Sequence, residues 1–274
     1  MLRMIKDLEK YKRIFTFGCS FTSHIYPTYA DVLAAECVQA SFFNLARPGS
    51  GNSLITYKIV EANKRFKFTE HDLVIVMYTS FFREDRYVHT RWECHGNVFN
   101  NDFYDEDFVR KYADPNGYAI QNCATITLGN SFIKSLPCDS LLLTAWPFFK
   151  NEFHEVLEKK YIDDLRYIYS DLIDSFPISL FDYLFPDCSP PLYYKKGLTY
   201  FLDDGSIFND AHPNPLAHYD YLKNGLRVPL TDRALEYATT ETQELKKCET
   251  QTSIIKRYQL EKEKNHNKIK SIYY

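Results

Sequence analysis

Residues 73–78 spell LVIVMY, six apolar residues in a row. A strand that is covered by helices on both faces of a parallel sheet has this continuous pattern. Shorter β-prone runs occur at Arg13–Phe17, Ser41–Leu45 and Ser140–Trp146, and the segment Asn52–Phe66 has apolar residues at helical spacing. Because strand and helix patterns alternate, the sequence predicts an α/β fold, a three-layer α/β/α sandwich with a central parallel sheet.

Two segments outside these runs are rich in polar and charged residues. Residues 81–116 are rich in Asn, Asp, Tyr and Arg, which predicts an irregular insertion and a candidate lid. Residues 117–136, 150–175 and 215–224 have helical patterns. From Thr231 onward the chain is polar and charged, so we expect a domain over residues 1–230 and a solvated, charged helical tail over residues 231–274.

Charge and cysteine content restrict the partners. The net charge of −3 provides no global field that would attract nucleic acid or an anionic membrane. No apolar run approaches the roughly 20 residues that a membrane span needs, and the charged N-terminus does not resemble a secretory signal. The seven cysteines include no CxxC pair and no zinc-ligand spacing. These features predict a cytoplasmic protein with reduced thiols, no metal and no cofactor, and no nucleic-acid or membrane partner.

A candidate nucleophile follows the first strand in Gly18-Cys19-Ser20. A serine in this position lies at the carboxyl end of the sheet, where open α/β folds build their sites. The helix expected next, through about Cys37, would direct its N-terminal N–H groups at a developing oxyanion. Taken alone, the same motif is also that of a turn with a helix N-cap.

A candidate base stands in Asp210-Ala211-His212-Pro213. A serine hydroxyl needs a base, and a carboxylate close to the imidazole can orient it and stabilise its charged form. Asp210 is the predicted orienting group, and Asn209 is the alternative. His24 and His218 are close to these motifs in sequence, and both are predicted to be structural.

A glycine-containing loop follows the second predicted strand, from Asn44 to Asn52. Gly49 would let the backbone approach the nucleophile and donate its N–H to an oxyanion. An ordinary strand-to-helix turn is the alternative interpretation.

Together these motifs resemble the SGNH hydrolase family, the GDSL esterases and lipases, in block order over residues 12–225. The family's Gly-Asp-Ser resembles Gly18-Cys19-Ser20, its Gly after an Asn resembles Gly49 after Asn44, and its Asp-x-x-His-Pro resembles the stretch ending at His212-Pro213. The resemblance implies a three-layer sandwich and hydrolysis of acyl esters through an acyl-enzyme, without a metal.

The chain departs from the family pattern in three places. In the last block, Asn209 stands three residues before His212, where the family has Asp, and Asp210 stands two before. Cys19 replaces the usual Asp, which leaves a thiol nucleophile at Cys19 as an alternative. The Gly-x-Asn-Asp block is absent after Tyr78, so the hydroxyls of Thr79 or Ser80 are predicted to complete an oxyanion hole with the Ser20 and Gly49 N–H groups. Arg83 and Asn52 are predicted to bind substrate.

The resulting hypothesis is a serine esterase for a small-molecule or glycan ester, with carbohydrate O-deacetylation favoured. An acyltransferase would use the same Ser20–His212 pair with a sugar hydroxyl in place of water. The alternative from another class is a non-catalytic SGNH-like domain that binds a glycan or a protein. A Ser20 Oγ within roughly 2.6–3.2 Å of a His212 ring nitrogen would favour the enzyme.

Overall fold

The structure is a computed structural model that describes residue 5 and residues 7–99, 104–148, 158–186, 198–202, 204–210 and 212–265. Its strands, in chain order, are β1 (Arg13–Phe17), β2 (Ser41–Asn44), β3 (Asp72–Tyr78), β4 (Arg83–Val88), β5 (Arg91–Asn97), β6 (Asp139–Thr144), β7 (Leu198–Phe201) and β8 (Ile207–Asp210).

Helices connect and cover these strands. In chain order they are α1 (Tyr29–Glu36), α2 (Asn52–Phe66), α3 (Glu106–Tyr112), α4 (Pro115–Lys134), α5 (Lys159–Ile168), α6 (Ser170–Ile173), α7 (Leu180–Leu184), α8 (Pro215–Asp220), α9 (Asp232–Lys246) and α10 (Gln251–Asn265), with a π-helical turn, Tyr221–Gly225, after α8.

The central sheet has four parallel strands in the order β2-β1-β3-β6. The apolar run that predicted a buried strand forms β3, which is buried along its whole length between β1 and β6. Antiparallel ribbons are formed by β4 with β5 and by β7 with β8. The predicted parallel α/β sheet is therefore confirmed.

Alternate residues of the sheet strands face two separate cores, because successive side chains of a strand point to opposite faces. Ile14, Leu73 and Leu143 pack on one face with α1, α7 and α9. Phe15 and Val74 pack on the other face with α2, α4 and α5. Helices thus cover both faces of the sheet, as a three-layer sandwich requires.

Two of the predicted boundaries are wrong. The helix expected directly after Ser20 begins only at Tyr29, where Thr28 and Asp31 form a capping box at its N-terminus. The insertion at residues 81–116 is not irregular throughout, because it contains the β4–β5 hairpin and α3.

The charged C-terminal segment is helical, but it is not solvated along its length. Helix α9 is capped by Thr231 and buries Ala234, Ala238 and Leu245. Arg233 donates a hydrogen bond to the carbonyl of Glu36 at the end of α1. Polar and charged residues together make up most of α9, yet its apolar stripe is buried. Across the described residues, the structure has no helix that is long and apolar enough to cross a lipid bilayer.

Candidate active site

Ser20 lies in a tight turn immediately beyond the carboxyl end of β1. The carbonyl of Cys19 accepts the N–H groups of Thr22 and Ser23, which closes the turn. A side chain at Gly18 would bring Cβ within 2.1 Å of the Thr22 hydroxyl, so the approach to this turn requires glycine. The turn directs Ser20 to the edge of the sheet where the loops after β2, β3 and β6 also begin.

Cys19 is more deeply buried than Ser20. Its side chain is fully buried in the core beneath α1, whereas Ser20 is 8% exposed. Buried structural cysteines are unreactive. The structure therefore favours Ser20 over the alternative nucleophile Cys19.

The Asp210 carboxylate holds His212 through two bonds. Oδ1 of Asp210 accepts the backbone N–H of His212 at 2.9 Å and lies 2.5 Å from ring atom Nδ1. Asn209 instead accepts a hydrogen bond from Thr199 within the β7–β8 ribbon. Of the two predicted orienting groups, Asp210 is thus the one that contacts the histidine.

The Asp210 carboxylate is also the acceptor for a second ring and a phenol. His24 Nε2 lies 3.0 Å from Oδ2, and the Tyr26 hydroxyl donates to Oδ2 at 3.1 Å. Burial alone would raise the pKa of Asp210, but the hydrogen bonds and charges of His212 and His24 lower the pKa below its usual range. Asp210 is therefore an ionised acceptor, and both ring nitrogens facing it carry protons.

In the neutral imidazole, a proton on Nδ1 leaves the lone pair of His212 on Nε2. Nε2 is buried and has no hydrogen-bond partner among the described residues. The Ser20 hydroxyl does not reach it within hydrogen-bond distance, although Phe21, the next residue, packs its ring against His212 at 4.6 Å. The distance criterion for an enzyme is therefore not met in this conformation. Catalytic hydrogen bonds are often long before substrate binds.

The backbone N–H groups of Ser20 and Gly49 are the two that the sequence predicts for an oxyanion hole. Neither the Ser20 N–H nor the Gly49 N–H donates a hydrogen bond to any part of the chain that the structure describes. Gly49 adopts φ +79°, and a Cβ there would lie 2.2 Å from the carbonyl oxygen of Cys94. Only glycine fits between this turn and the β4–β5 hairpin.

The loop after β3 is held by an amide network. Asn52 accepts the N–H of Thr79 and donates to its carbonyl and to the side chain of Asn122. The hydroxyl of Ser80 accepts the N–H of Phe82, and that of Thr79 is buried without a partner in the described residues. The Asn52 side chain, predicted to bind substrate, is thus buried and bonded to this loop.

Arg83 is the first residue of β4, and its side chain contacts the residue that follows Gly49. Its Nη1 donates to the carbonyl of Ser50 at 3.3 Å. Binding of an anionic substrate group by Arg83 stays a prediction, since this bond occupies only one of its N–H donors.

His218 is a buried histidine of a different kind. It lies in α8, 1% exposed, and its Nδ1 has no partner among the described residues. Burial, followed by the charges of His212 and His24, lowers the pKa of His218 to about 3. His218 is therefore neutral at physiological pH.

Sequence reasoning missed the aromatic wall beside His212. Trp146 and Phe181 stack at 4.1 Å, and Phe21 meets Phe181 edge-on at 5.1 Å. His24 stacks on the other side of His212, with ring centroids 3.9 Å apart. The available signal was Trp146 at the end of one predicted parallel strand and Phe21 in the turn that follows another.

His24, Asp210 and His212 are also the one group of potential metal ligands among the described residues, with donor atoms within 4.8 Å of one another. Their geometry does not fit an ion. An imidazole binds metal along the lone pair in its ring plane, and these two rings are nearly parallel at 3.9 Å, with an interplanar angle of 16°. Both facing nitrogens carry the protons that Asp210 accepts.

Comparison with solved structures finds proteins that are similar to this chain. The chain is similar to a GDSL-like lipase from Bacteroides thetaiotaomicron, with 13% identity, coverage of 85% of this chain and 93% of the other, and a TM-score of 0.40. The chain is also similar to a member of the lipolytic G-D-S-L family from Veillonella parvula. The identity is 12%, the match covers 79% of this chain and 99% of the other, and the TM-score is 0.42. A third similar structure is a psychrotrophic esterase from a Pseudoalteromonas species. The identity is 12%, the match covers 79% of this chain and 97% of the other, and the TM-score is 0.37.

The structural likeness is to GDSL-type proteins. No family model matches the chain, and the search of curated proteins finds no relative. At these identities and TM-scores the likeness does not extend to activity, which has to follow from the chemistry of the site.

Proposed function

We propose that this chain is a serine esterase in which Ser20 is the nucleophile, His212 the base and Asp210 the group that orients the base. The main support is the contact between the ionised Asp210 carboxylate and Nδ1 of His212. This contact leaves Nε2 as a buried nitrogen without a hydrogen-bond partner in the described residues, beside the Ser20 turn. A neutral imidazole in this tautomer accepts a proton only at Nε2.

The proposed reaction has two halves. Ser20 Oγ attacks the ester carbonyl while its proton passes to Nε2 of His212, and Asp210 stabilises the imidazolium that forms. The N–H groups of Ser20 and Gly49 stabilise the oxyanion. His212 then returns the proton to the leaving alcohol, and water hydrolyses the acyl-Ser20 by the same steps in reverse.

The position of the nucleophile favours a small acyl group. Ser20 is only 8% exposed, the ring of Phe21 packs against the base, and Trp146 packs edge-on against Phe21. A compact acetyl group needs less room than a long fatty chain, which supports acetate esters, including those of carbohydrates, as substrates. An acyltransferase would use the same intermediate with a sugar hydroxyl as acceptor.

Hydrolysis of p-nitrophenyl acetate tests the proposal. We expect Ser20→Ala and His212→Ala each to lower kcat/KM by about 1,000-fold or more, because neither residue works without the other. Ser23→Ala, which removes a hydroxyl from the same turn, is the matched control and keeps the parent rate. Hydrolysis that persists in Ser20→Ala would contradict the proposal.

The unformed Ser20–His212 hydrogen bond favours a second candidate, a binding domain without catalysis. In that case the folded parent protein would hydrolyse the ester no faster than Ser20→Ala does. The same comparison therefore separates the two functions.

A further inference from the structure

A second imidazole shares the carboxylate that orients His212. His24 Nε2 lies 3.0 Å from Asp210 Oδ2, while His212 Nδ1 lies on Oδ1. The two rings stack with centroids 3.9 Å apart and planes 16° apart. The His24 side chain is 14% exposed and that of Asp210 is 3% exposed, so this pair is largely shielded from water.

The segment that carries the nucleophile also carries this second donor. His24 follows Ser20 by four residues, and Tyr26 packs edge-on against His24 at 4.5 Å. The Tyr26 hydroxyl bridges Asp210 Oδ2 and the carbonyl of His212. Residues 20–26 therefore contact the acid and the base of the site as well as supplying its nucleophile.

The acceptor sites of Asp210 are fully used. Oδ1 faces the backbone N–H and the Nδ1–H of His212, and Oδ2 faces His24 and Tyr26. An ionised carboxylate has about four lone-pair sites, so all of them meet a donor. Removing the His24 donor would leave Oδ2 with the Tyr26 hydroxyl alone and would loosen the hold of Oδ1 on His212.

We propose that His24 is a positioning residue of the Ser20–His212 site, which holds Asp210 in place through Nε2–H and covers one face of the His212 ring. The proposal rests on the esterase function and assigns His24 no contact with substrate. Its effect is on the tautomer and orientation of His212, and hence on kcat.

Two substitutions separate the hydrogen bond from the stacking. His24→Phe keeps a ring over His212 but has no donor, and His24→Gln keeps an N–H that reaches Asp210 but has no ring. With p-nitrophenyl acetate we expect His24→Phe to lower kcat by about tenfold at unchanged KM, the effect of losing one hydrogen bond to a charged group. His24→Gln should recover most of that loss. His71→Phe, at an exposed histidine, is the control and keeps the parent kcat.

A spectroscopic measurement keeps this test independent of the esterase function. Nitrogen-15 NMR of the histidine side chains, assigned with the His212→Ala variant, should show His212 protonated at Nδ1 and bare at Nε2 in the parent and in His24→Gln. His24→Phe should show a mixture of the two tautomers. If His24→Phe does not fold, His24→Asn, whose amide is too short to reach Oδ2, takes its place.

The outcomes are distinguishable. A parent protein without esterase activity contradicts the proposed function, and the tautomer measurement then decides the role of His24. Parent-like kcat together with a parent-like His212 tautomer in His24→Phe would overturn the positioning role. A tautomer shift in His24→Phe that His24→Gln reverses would support it.

Discussion

At the scale of single residues, the carboxylate of Asp210 determines what His212 can do. Its four contacts fix the ring so that the only basic nitrogen is Nε2, and its lowered pKa keeps it an acceptor. Gly49 fixes the direction of a backbone N–H group, as Asp210 fixes the orientation of a ring. Its φ of +79° and its close approach to Cys94 determine where the Gly49 N–H points.

Gly49→Ala tests that second role. The added Cβ meets the Cys94 carbonyl oxygen at 2.2 Å, so the turn and its N–H must move. We expect about 1–2 kcal/mol of lost stability from the left-handed backbone alone, and kcat for p-nitrophenyl acetate lower by about tenfold or more from the displaced oxyanion donor. Thermal unfolding and steady-state kinetics measure the two effects.

Gly205→Ala is the matched control. Gly205 has φ +84°, yet a Cβ there meets no atom within 4 Å. The control should lose stability through backbone strain and keep its kcat. Equal kcat values for the two variants would mean that the Gly49 N–H is not part of the oxyanion hole.

Contacts between residues of one short motif were predictable from the sequence. Contacts between residues that only the fold brings together were not. Asp210 and His212 are two positions apart, so their contact could be inferred from the sequence. His24 and Asp210 are 186 positions apart. Only the folded sheet brings them together, and for that reason His24 looked like an ordinary structural histidine.

At the scale of elements, the β4–β5 hairpin supports the turn that contains Gly49 and is not an irregular insertion. Helix α2 begins after Gly51, which has no side chain to cap it. Asp85 of β4 supplies the cap, accepting the N–H of Gly51 at 2.7 Å and of Leu54 at 2.8 Å. Burial raises the pKa of Asp85, although these two N–H groups act against the rise.

Asp85→Ala should therefore destabilise the turn as well as the helix. We expect the free energy of unfolding to fall by about 1–2 kcal/mol, the usual cost of a lost N-cap. Asp105→Ala is the comparison, because Asp105 caps α3, a helix without buried residues. Urea unfolding should show a larger loss for Asp85→Ala, and equal losses would mean that the hairpin does not support α2.

The pattern of β4 and β5 explains why the hairpin was missed. Their sequences, REDRYV and RWECHGN, are polar, and their turn uses His89 and Thr90 at positive φ instead of the usual Gly or Asn. The parallel strands, by contrast, are continuously apolar because both faces are covered. Burial on both sides makes a strand visible in sequence, and a half-exposed hairpin lacks that signal.

At the scale of the whole molecule, the sheet brings distant segments to one edge. Ser20 follows β1, Gly49 follows β2 and Thr79 follows β3, so the parallel topology, which the sequence predicted, places all three after the carboxyl ends of neighbouring strands. His212 reaches the same edge from the β7–β8 ribbon, whose position no periodicity revealed. Helix α9, in the charged C-terminal segment, buries Ala234, Ala238 and Leu245, which its polar composition concealed.

The central claim is that Ser20 is an activated nucleophile. Labelling the parent protein with a fluorophosphonate probe and mapping the adduct by peptide mass spectrometry tests it most directly. The account predicts an adduct on Ser20, absent from Ser20→Ala and strongly reduced in His212→Ala. An adduct on another residue, or none on folded parent protein, would contradict it.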